Sequence, residues 1–275
     1  MYVENDIDKA VNLILQADGL LITAGAGMGV DSGLPDFRGD HGFWNAYPAL
    51  GKMKMGFTAI ANEAAFRDHP KLAWGFYGHR LQLYRNTVPH AGFEILQKFG
   101  RRMQHGSFVY TSNVDGQFQE AGFDNQRIVE CHGSIHYLQC MASCTTDIWS
   151  ADELIVDVDE SLCTLRSELP KCPHCGELAR PNILMFNDWS FLSKRTDLQQ
   201  QRLTRWLQDV ERLVIIELGA GTTIATVRRQ GEAHGRPLIR INPTNAGVFG
   251  VEGVGLRTGA LAGLQMLKSR MNQRN

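Results

Sequence analysis

The sequence predicts an α/β protein, a parallel sheet with helices on both faces, carrying a smaller metal-binding module. Three observations predict it. Short continuous apolar runs alternate with stretches of helical periodicity, as strands buried on both faces require. Clusters of glycine, asparagine, aspartate and histidine follow directly on the ends of those runs, where open α/β sheets bind ligands. Five of the six cysteines are gathered in one segment, between Tyr137 and Leu178.

The chain of 275 residues is 43% apolar and 21% charged, with a net charge of −1. That length buries an α/β core plus one small module. The near-neutral balance lacks the broad field that binding to nucleic acid or a membrane surface needs. Met1-Tyr2-Val3-Glu4-Asn5-Asp6 is acidic and polar, so it is not a signal peptide. No apolar run approaches the roughly 18 residues of a membrane span. The cysteines read as metal ligands or free thiols, and the expected compartment is the cytoplasm. Oligomeric state is not readable.

In chain order, Asp6 to Leu15 has helical spacing, with Ile7, Val11, Ile14 and Leu15 on one face, Asp6 placed to cap it and Gly19 ending it. Leu20 to Thr23 then reads as a buried strand, and Gly25 to Gly33 as a glycine-rich loop. Phe43 to Tyr84, with Phe57, Phe66, Trp74, Phe76 and Tyr77, reads as an apolar helical insertion. A helix is expected around Glu94–Lys98, strands at Ser107–Thr111 and, more weakly, Arg127–Val129. Residues 137–178 are set apart by their cysteines. A helix around Leu203–Leu207 and strands at Leu213–Ile216 and Pro237–Ile241 complete the pattern. The expected division is a sheet domain of residues 1–42, 85–136 and 179–275, with 43–84 and 137–178 together forming the small domain.

Five clusters carry chemistry. Gly25-Ala26-Gly27 follows a strand, and its backbone N–H groups can approach a pyrophosphate. The spacing G-x-G-x-G differs from the hydride-transfer fingerprint, and Asn45-Ala46-Tyr47 stands where an acid would hold a ribose diol, so an ordinary dehydrogenase is disfavoured. Asp36-Phe37-Arg38 sets an acid, a ring and a cation beside that turn; the alternative is a polar surface loop with a local ion pair. Ser112-Asn113-Val114-Asp115 ends a strand, and Asn113 with Asp115 can satisfy both the carbonyl and the NH₂ of a carboxamide. The alternative there is an Asx turn.

His132, after Glu130-Cys131 and before Gly133, suits a general base with a pKa near neutrality, His136, His90 and His174 being its competitors. Cys140-x3-Cys144 and Cys172-x2-Cys175, 27 residues apart, match a closed four-thiolate structural zinc site, with Cys163 a possible substitute ligand. A second turn, Gly219-Ala220-Gly221-Thr222, and Asn242 at the next strand end suit phosphate or ribose.

Taken in order, these segments resemble the sirtuin family of NAD-dependent protein deacylases, in a divergent, bacterial-type form. The family pattern runs Gly-Ala-Gly, Ser-Gly-Ile-Pro-Asp-Phe-Arg, Thr-Gln-Asn-Ile-Asp, His-Gly, a Cys₄ module, Arg-Pro, Phe-Gly-Glu, Gly-Thr-Ser and Ile-Asn. Here it reads Gly25–Gly27, Ser32–Arg38, Thr111–Asp115, His132-Gly133, Cys140–Cys175, Arg180-Pro181, Phe186-Asn187-Asp188, Gly221–Thr223 and Ile241-Asn242. The resemblance implies a Rossmann-like domain with a small zinc module, NAD and an acyl-lysine peptide meeting between them. Gly25, Ala26, Gly27 and Arg38 would hold the pyrophosphate, Asn113 and Asp115 the nicotinamide end, and Phe37 would guard the ribose. The acyl oxygen would displace nicotinamide. His132 would take a proton from a ribose hydroxyl, leaving free lysine and O-acyl-ADP-ribose.

The departures are Ala24 and Gly29 around the first turn, Ser112 for glutamine, Gln117-Phe118 for Leu-His, and Asn187-Asp188 for Gly-Glu. They keep two other readings in view: an ADP-ribosyltransferase or NAD glycohydrolase, and a non-catalytic NAD-binding sensor.

Overall fold

In the computed structural model, which describes residues 2–35 and 39–274, α1 (Tyr2–Gln16) leads into β1 (Gly19–Ala24). Asp6 lies inside α1 and does not cap it. Nothing in Tyr2-Val3-Glu4 breaks a helix, so the helix extends to Tyr2 with Glu4 in its first turn, where an acid complements the dipole. Five helices then occupy the insertion: α2 (Gly39–Ala46), α3 (Pro48–Lys52), α4 (Phe57–Ile60), α5 (Glu63–Asp68) and α6 (Pro70–Arg85). Pro48 and Pro70 open their helices at the position where a missing N–H costs nothing. The side chain of Asn62 caps α5 by accepting from Ala64 N at 2.9 Å.

Next come α7 (Gly92–Arg101), β2 (Ser107–Thr111), α8 (Gln117–Glu120) and β3 (Ile128–Glu130). The cysteine segment holds β4 (Gly133–Cys140), β5 (Trp149–Ser150), β6 (Val158–Asp159) and β7 (Thr164–Leu165), and β8 (Ala179–Ile183) closes it. The chain ends with α9 (Lys194–Asp209), β9 (Leu213–Leu218), α10 (Thr226–Ala233), β10 (Leu238–Ile241), β11 (Gly253–Leu256) and α11 (Ala260–Asn272). Sequence reading missed α10, β11 and α11. Glycines alternate with the apolar residues of β11, and α10 is mostly polar, so neither shows an apolar run.

Six strands form one all-parallel sheet in the order β11-β10-β9-β1-β2-β3. The chain winds outward from β1 to β3, then returns to β9 on the other side of β1. The strand order therefore reverses between β1 and β9, and the crevice at their carboxyl ends is where such sheets take ligands. Alternate residues serve opposite faces. Leu20, Ile22, Val109 and Ile216 pack with α1, α7 and α11, whereas Leu21, Phe108 and Ile215 pack with Leu203 and Trp206 of α9.

β8 pairs antiparallel with β4 in a separate three-stranded sheet, and its residues Arg180 and Asn182 meet polar partners. A third core joins the insertion to the cysteine segment: Phe43, Phe66, Trp74, Phe76 and Tyr77 pack with Ile135, Leu138, Val156 and Leu165. The large apolar residues of the insertion thus serve mostly as core. Gly75 is where α6 meets β7, since a Cβ there would lie 2.1 Å from the Cys163 carbonyl oxygen.

Candidate active site

Two glycine turns touch at the reversal point. Gly25 N–H donates to Leu218 O at 2.9 Å, and Gly27 N–H donates to Gly219 O at 3.1 Å. A Cβ on Gly27 would lie 2.7 Å from the Gly219 Cα, and one on Gly25 would lie 2.9 Å from the Gly219 oxygen. Gly219 also has φ +58°, the left-handed region that side chains avoid. The contact between the loops after β1 and β9 therefore requires glycine on both sides. Ala26 is exposed at the crest of its turn, as are Gly221 and Thr222 on theirs.

A line of hydrogen bonds continues this contact along the carboxyl edge of the sheet. Asn242 is buried, and its amide nitrogen donates to Ala220 O at 3.0 Å while its oxygen accepts from Thr244 and Asn245 backbone N–H groups. Its side chain is committed to shaping the loops. On the other side, Asn113 Nδ2 donates to Gly25 O at 3.1 Å, and its backbone N–H donates to the Thr111 hydroxyl at 3.0 Å. Ser112 N–H reaches Ala24 O at 3.2 Å, and Cys131 N–H reaches Thr111 O at 2.9 Å. This last bond brings His132 to the same edge as Asn113.

His132 is half-buried, and burial holds its imidazole below the ordinary histidine value, so the neutral, base-competent form prevails at neutral pH. The glycine after it is obligatory: Gly133 has φ +76°, and a Cβ would sit 2.0 Å from the Asn182 carbonyl oxygen. The competing histidines are structural. His90 bonds Met28 O, His136 bonds Asp115 O at 3.0 Å, and His174 pairs with Asp147 on the surface.

Asp115 forms the Asx turn. Its Oδ1 accepts from Gln117 N–H at 2.9 Å in an Asx turn that starts α8. Burial, with the nearby Glu130 charge, pushes its carboxyl up to about 6 despite that bond and the pull of Arg80 and His136. Asp36, Phe37 and Arg38 lie outside the described residues.

Beyond β8, the segment Phe186-Asn187-Asp188 is held from beneath. Arg180 and Asp188, both side chains wholly buried, form a two-pronged ion pair at 2.8 Å on each arm. Asn187 has φ +52°, a conformation asparagine tolerates better than most side chains. Leu184 N–H donates to His132 O at 2.9 Å, tying this segment to His132.

Two buried pairs escaped the sequence reading: Arg180–Asp188, and Arg240–Glu217 at 2.6 and 2.9 Å under the β9 and β10 loops. The second had a signal, since Glu217 and Arg240 each interrupt an apolar strand and stand opposite one another in register.

The four cysteines Cys140, Cys144, Cys172 and Cys175 converge, all sulfurs lying within 4.8 Å of one another. The pairs Cys140–Cys175 and Cys144–Cys172 are 3.7 Å apart. A tetrahedron with Zn–S bonds of about 2.3 Å has edges of about 3.8 Å, so the cluster fits a zinc ion with no position left for a substrate. Cys163 is not a substitute ligand: it is buried against Gly75 with φ +50°. Cys131 lies apart from this cluster, and burial pushes its thiol up to about 11.

Comparison with known proteins agrees with this geometry. The model of the Sir2 family matches residues 25–222. An NAD-dependent protein deacylase of Thermococcus sibiricus is 29% identical over 258 residues, 91% of each chain. A crystal structure of a Sir2 homologue in complex with NAD superposes with a TM-score of 0.72 at 25% identity, covering 97% of this chain and 94% of that one. A substituted Sir2 homologue bound to 2′-O-acetyl ADP ribose gives 0.71 at 25% identity, covering 97% of each.

Proposed function

The chain belongs to the Sir2 family, and from that premise we propose that it is an NAD-dependent protein-lysine deacylase of the cytoplasm, with a structural zinc. The observation that carries this reading is the continuous edge from Gly219 through Gly25 and Asn113 to His132, which sets a phosphate cradle, a carboxamide partner and a neutral imidazole in one line. The relatives named as deacylases and the homologues bound to NAD and 2′-O-acetyl ADP ribose support it.

In this reading NAD supplies an ADP-ribosyl group that exchanges nicotinamide for the acyl group of lysine. The amides of Gly25, Ala26 and Gly27 hold the pyrophosphate, with Gly219, Gly221 and Thr222 extending the cradle toward the adenosine. Asn242 acts through the loops it shapes. Asn113 and Asp115 hold the carboxamide of nicotinamide, with Ser112 beside them, and His132 accepts a proton from a ribose hydroxyl. Asp36, Phe37 and Arg38 remain assigned to the cofactor by the motif. Cys140, Cys144, Cys172 and Cys175 hold zinc, which fixes the small module and takes no part in the reaction.

The test is nicotinamide release from NAD, with and without an acetyl-lysine peptide, in the wild type and in His132→Ala. Peptide-dependent release with O-acetyl-ADP-ribose, lost in the variant, is expected. Equal release without peptide would overturn deacylation in favour of NAD hydrolysis or ADP-ribosyl transfer.

A further inference from the structure

β3 is an edge strand of the parallel sheet, paired on one side with β2. The outward backbone groups of such a strand need partners from elsewhere when they are buried. At Glu130, the last residue of β3, the first turns of α9 supply them. Glu130 N–H donates to Gln199 Oε1 at 3.0 Å, and the Thr196 hydroxyl donates to Glu130 O at 3.2 Å. The same helix takes the side chain, which is buried. Gln199 Nε2 donates to Glu130 Oε2 at 3.3 Å, and Arg195 pairs with that oxygen while its guanidinium lies 4.1 Å from the centroid of the Tyr137 ring. Gln199 is itself buried, and both ends of its amide are spent on this one residue.

Glu130 stands two residues before His132. The residues that follow it are fixed in turn. Cys131 N–H donates to Thr111 O, His132 O accepts from Leu184 N–H, and Gly133 pairs with Ile183 of β8. Those three fastenings are backbone to backbone and survive substitution of the side chains. The fastening at Glu130 is made by side chains, so it depends on which residues stand at 196 and 199. A general base must stay within hydrogen-bond reach of the proton it takes, and a displacement of about 1 Å costs up to about a hundredfold in rate.

We propose that Gln199, assisted by Thr196, is a positioning residue for His132, acting through the end of β3 and not on the substrate. The inference rests on the deacylase reading, in which His132 takes a proton from a ribose hydroxyl after the acyl oxygen has displaced nicotinamide.

The test separates those two stages in the full chain. Exchange of labelled nicotinamide into NAD, in the presence of an acetyl-lysine peptide, reverses the displacement and needs no base. Formation of O-acetyl-ADP-ribose needs both stages. Gln199→Met keeps the length of the side chain and removes both amide groups. It is expected to lower O-acetyl-ADP-ribose formation about ten- to a hundredfold and exchange less than about threefold. Thr196→Val, which removes the hydroxyl at nearly constant shape, is expected to act in the same direction by a smaller factor. Gln201→Met, the same change at an exposed position of α9, is expected to leave both rates as in wild type. A variant that is merely less stable loses active protein and lowers both rates by one factor. An equal factor in the two assays, or undiminished O-acetyl-ADP-ribose formation, in Gln199→Met overturns the proposal; should that variant not fold, the same outcomes in Thr196→Val overturn it. Failure of the deacylase reading is seen separately in the wild type, as nicotinamide release that does not depend on any acetyl-lysine peptide.

Discussion

Substitution of Gly219 tests the central claim that two glycine turns must touch for the site to exist. A methyl group at this position would lie 2.4 Å from both Cα and the carbonyl carbon of Gly27 and 2.6 Å from Met28 N. All three are backbone atoms, so no side-chain rotation relieves the overlap. Alanine in the left-handed region costs about 1–2 kcal/mol, and overpacking of this kind about 1–3 kcal/mol more. Gly219→Ala should therefore lose about 2–5 kcal/mol of stability, read as a lower urea midpoint. The strain is relieved by parting the two turns, and each 1.4 kcal/mol needed to bring them together again on binding weakens NAD about tenfold. Calorimetric titration should show at least about that loss. Gly221, two residues on, has nothing within 4 Å of its would-be Cβ and no positive φ. Gly221→Ala should stay within about 0.5 kcal/mol of wild type. Equal stability in the two variants would refute the reasoning.

Asp188→Ala strands the Arg180 guanidinium without its partner in a fully buried position, and should cost about 3–5 kcal/mol in urea unfolding; a loss below about 1 kcal/mol would show that the pair is not desolvated. Metal analysis should find one zinc per chain in wild type and none in Cys172→Ala, with hydrogen exchange faster in residues 137–178 and unchanged in β1 and β9. Asp115 titrates near 6 when folded, above its ordinary value of 3.8, so the native state holds the proton more tightly and loses stability as pH rises from the lower value through the higher. Asp115→Asn should accordingly raise the urea midpoint at about pH 7.5 but not at about pH 4; a fall at the higher pH would reverse the sign.

What the sequence made legible follows from which residues had no freedom. Strands β1, β2 and β9 are buried on both faces and therefore carry apolar runs, so they stand out in one dimension. The four cysteines show themselves because only thiolates at that spacing close a tetrahedron. The turns after β1 and β9 were each visible as glycines, yet their contact was not, because it joins residues far apart in the chain. Asn242 shows the same limit. Its place at a strand end was readable, but whether its amide faces a ligand or the loops depends on Ala220, Thr244 and Asn245 together. Helix α10 was missed because its burial against β1 and β9 depends on small residues such as Gly231 and not on an apolar stripe.

The departures from the family pattern divide by whether the fold absorbs them. Asparagine replaces glycine at 187, where the backbone is left-handed, and asparagine is among the side chains most tolerant of that conformation. Aspartate replaces glutamate at 188, yet the shorter acid still meets both arms of Arg180 at 2.8 Å. Phe118, in place of histidine, packs against Phe93 and Phe123 in the core beneath α8. These changes keep the backbone that frames His132 and remove no group from the line between Gly219 and Asn113. Ser112 differs: it sits half-buried on that line, and its short side chain leaves room where the family carries an amide. The edge is thus unchanged at His132 and the two glycine turns, and altered in the volume beside Asn113.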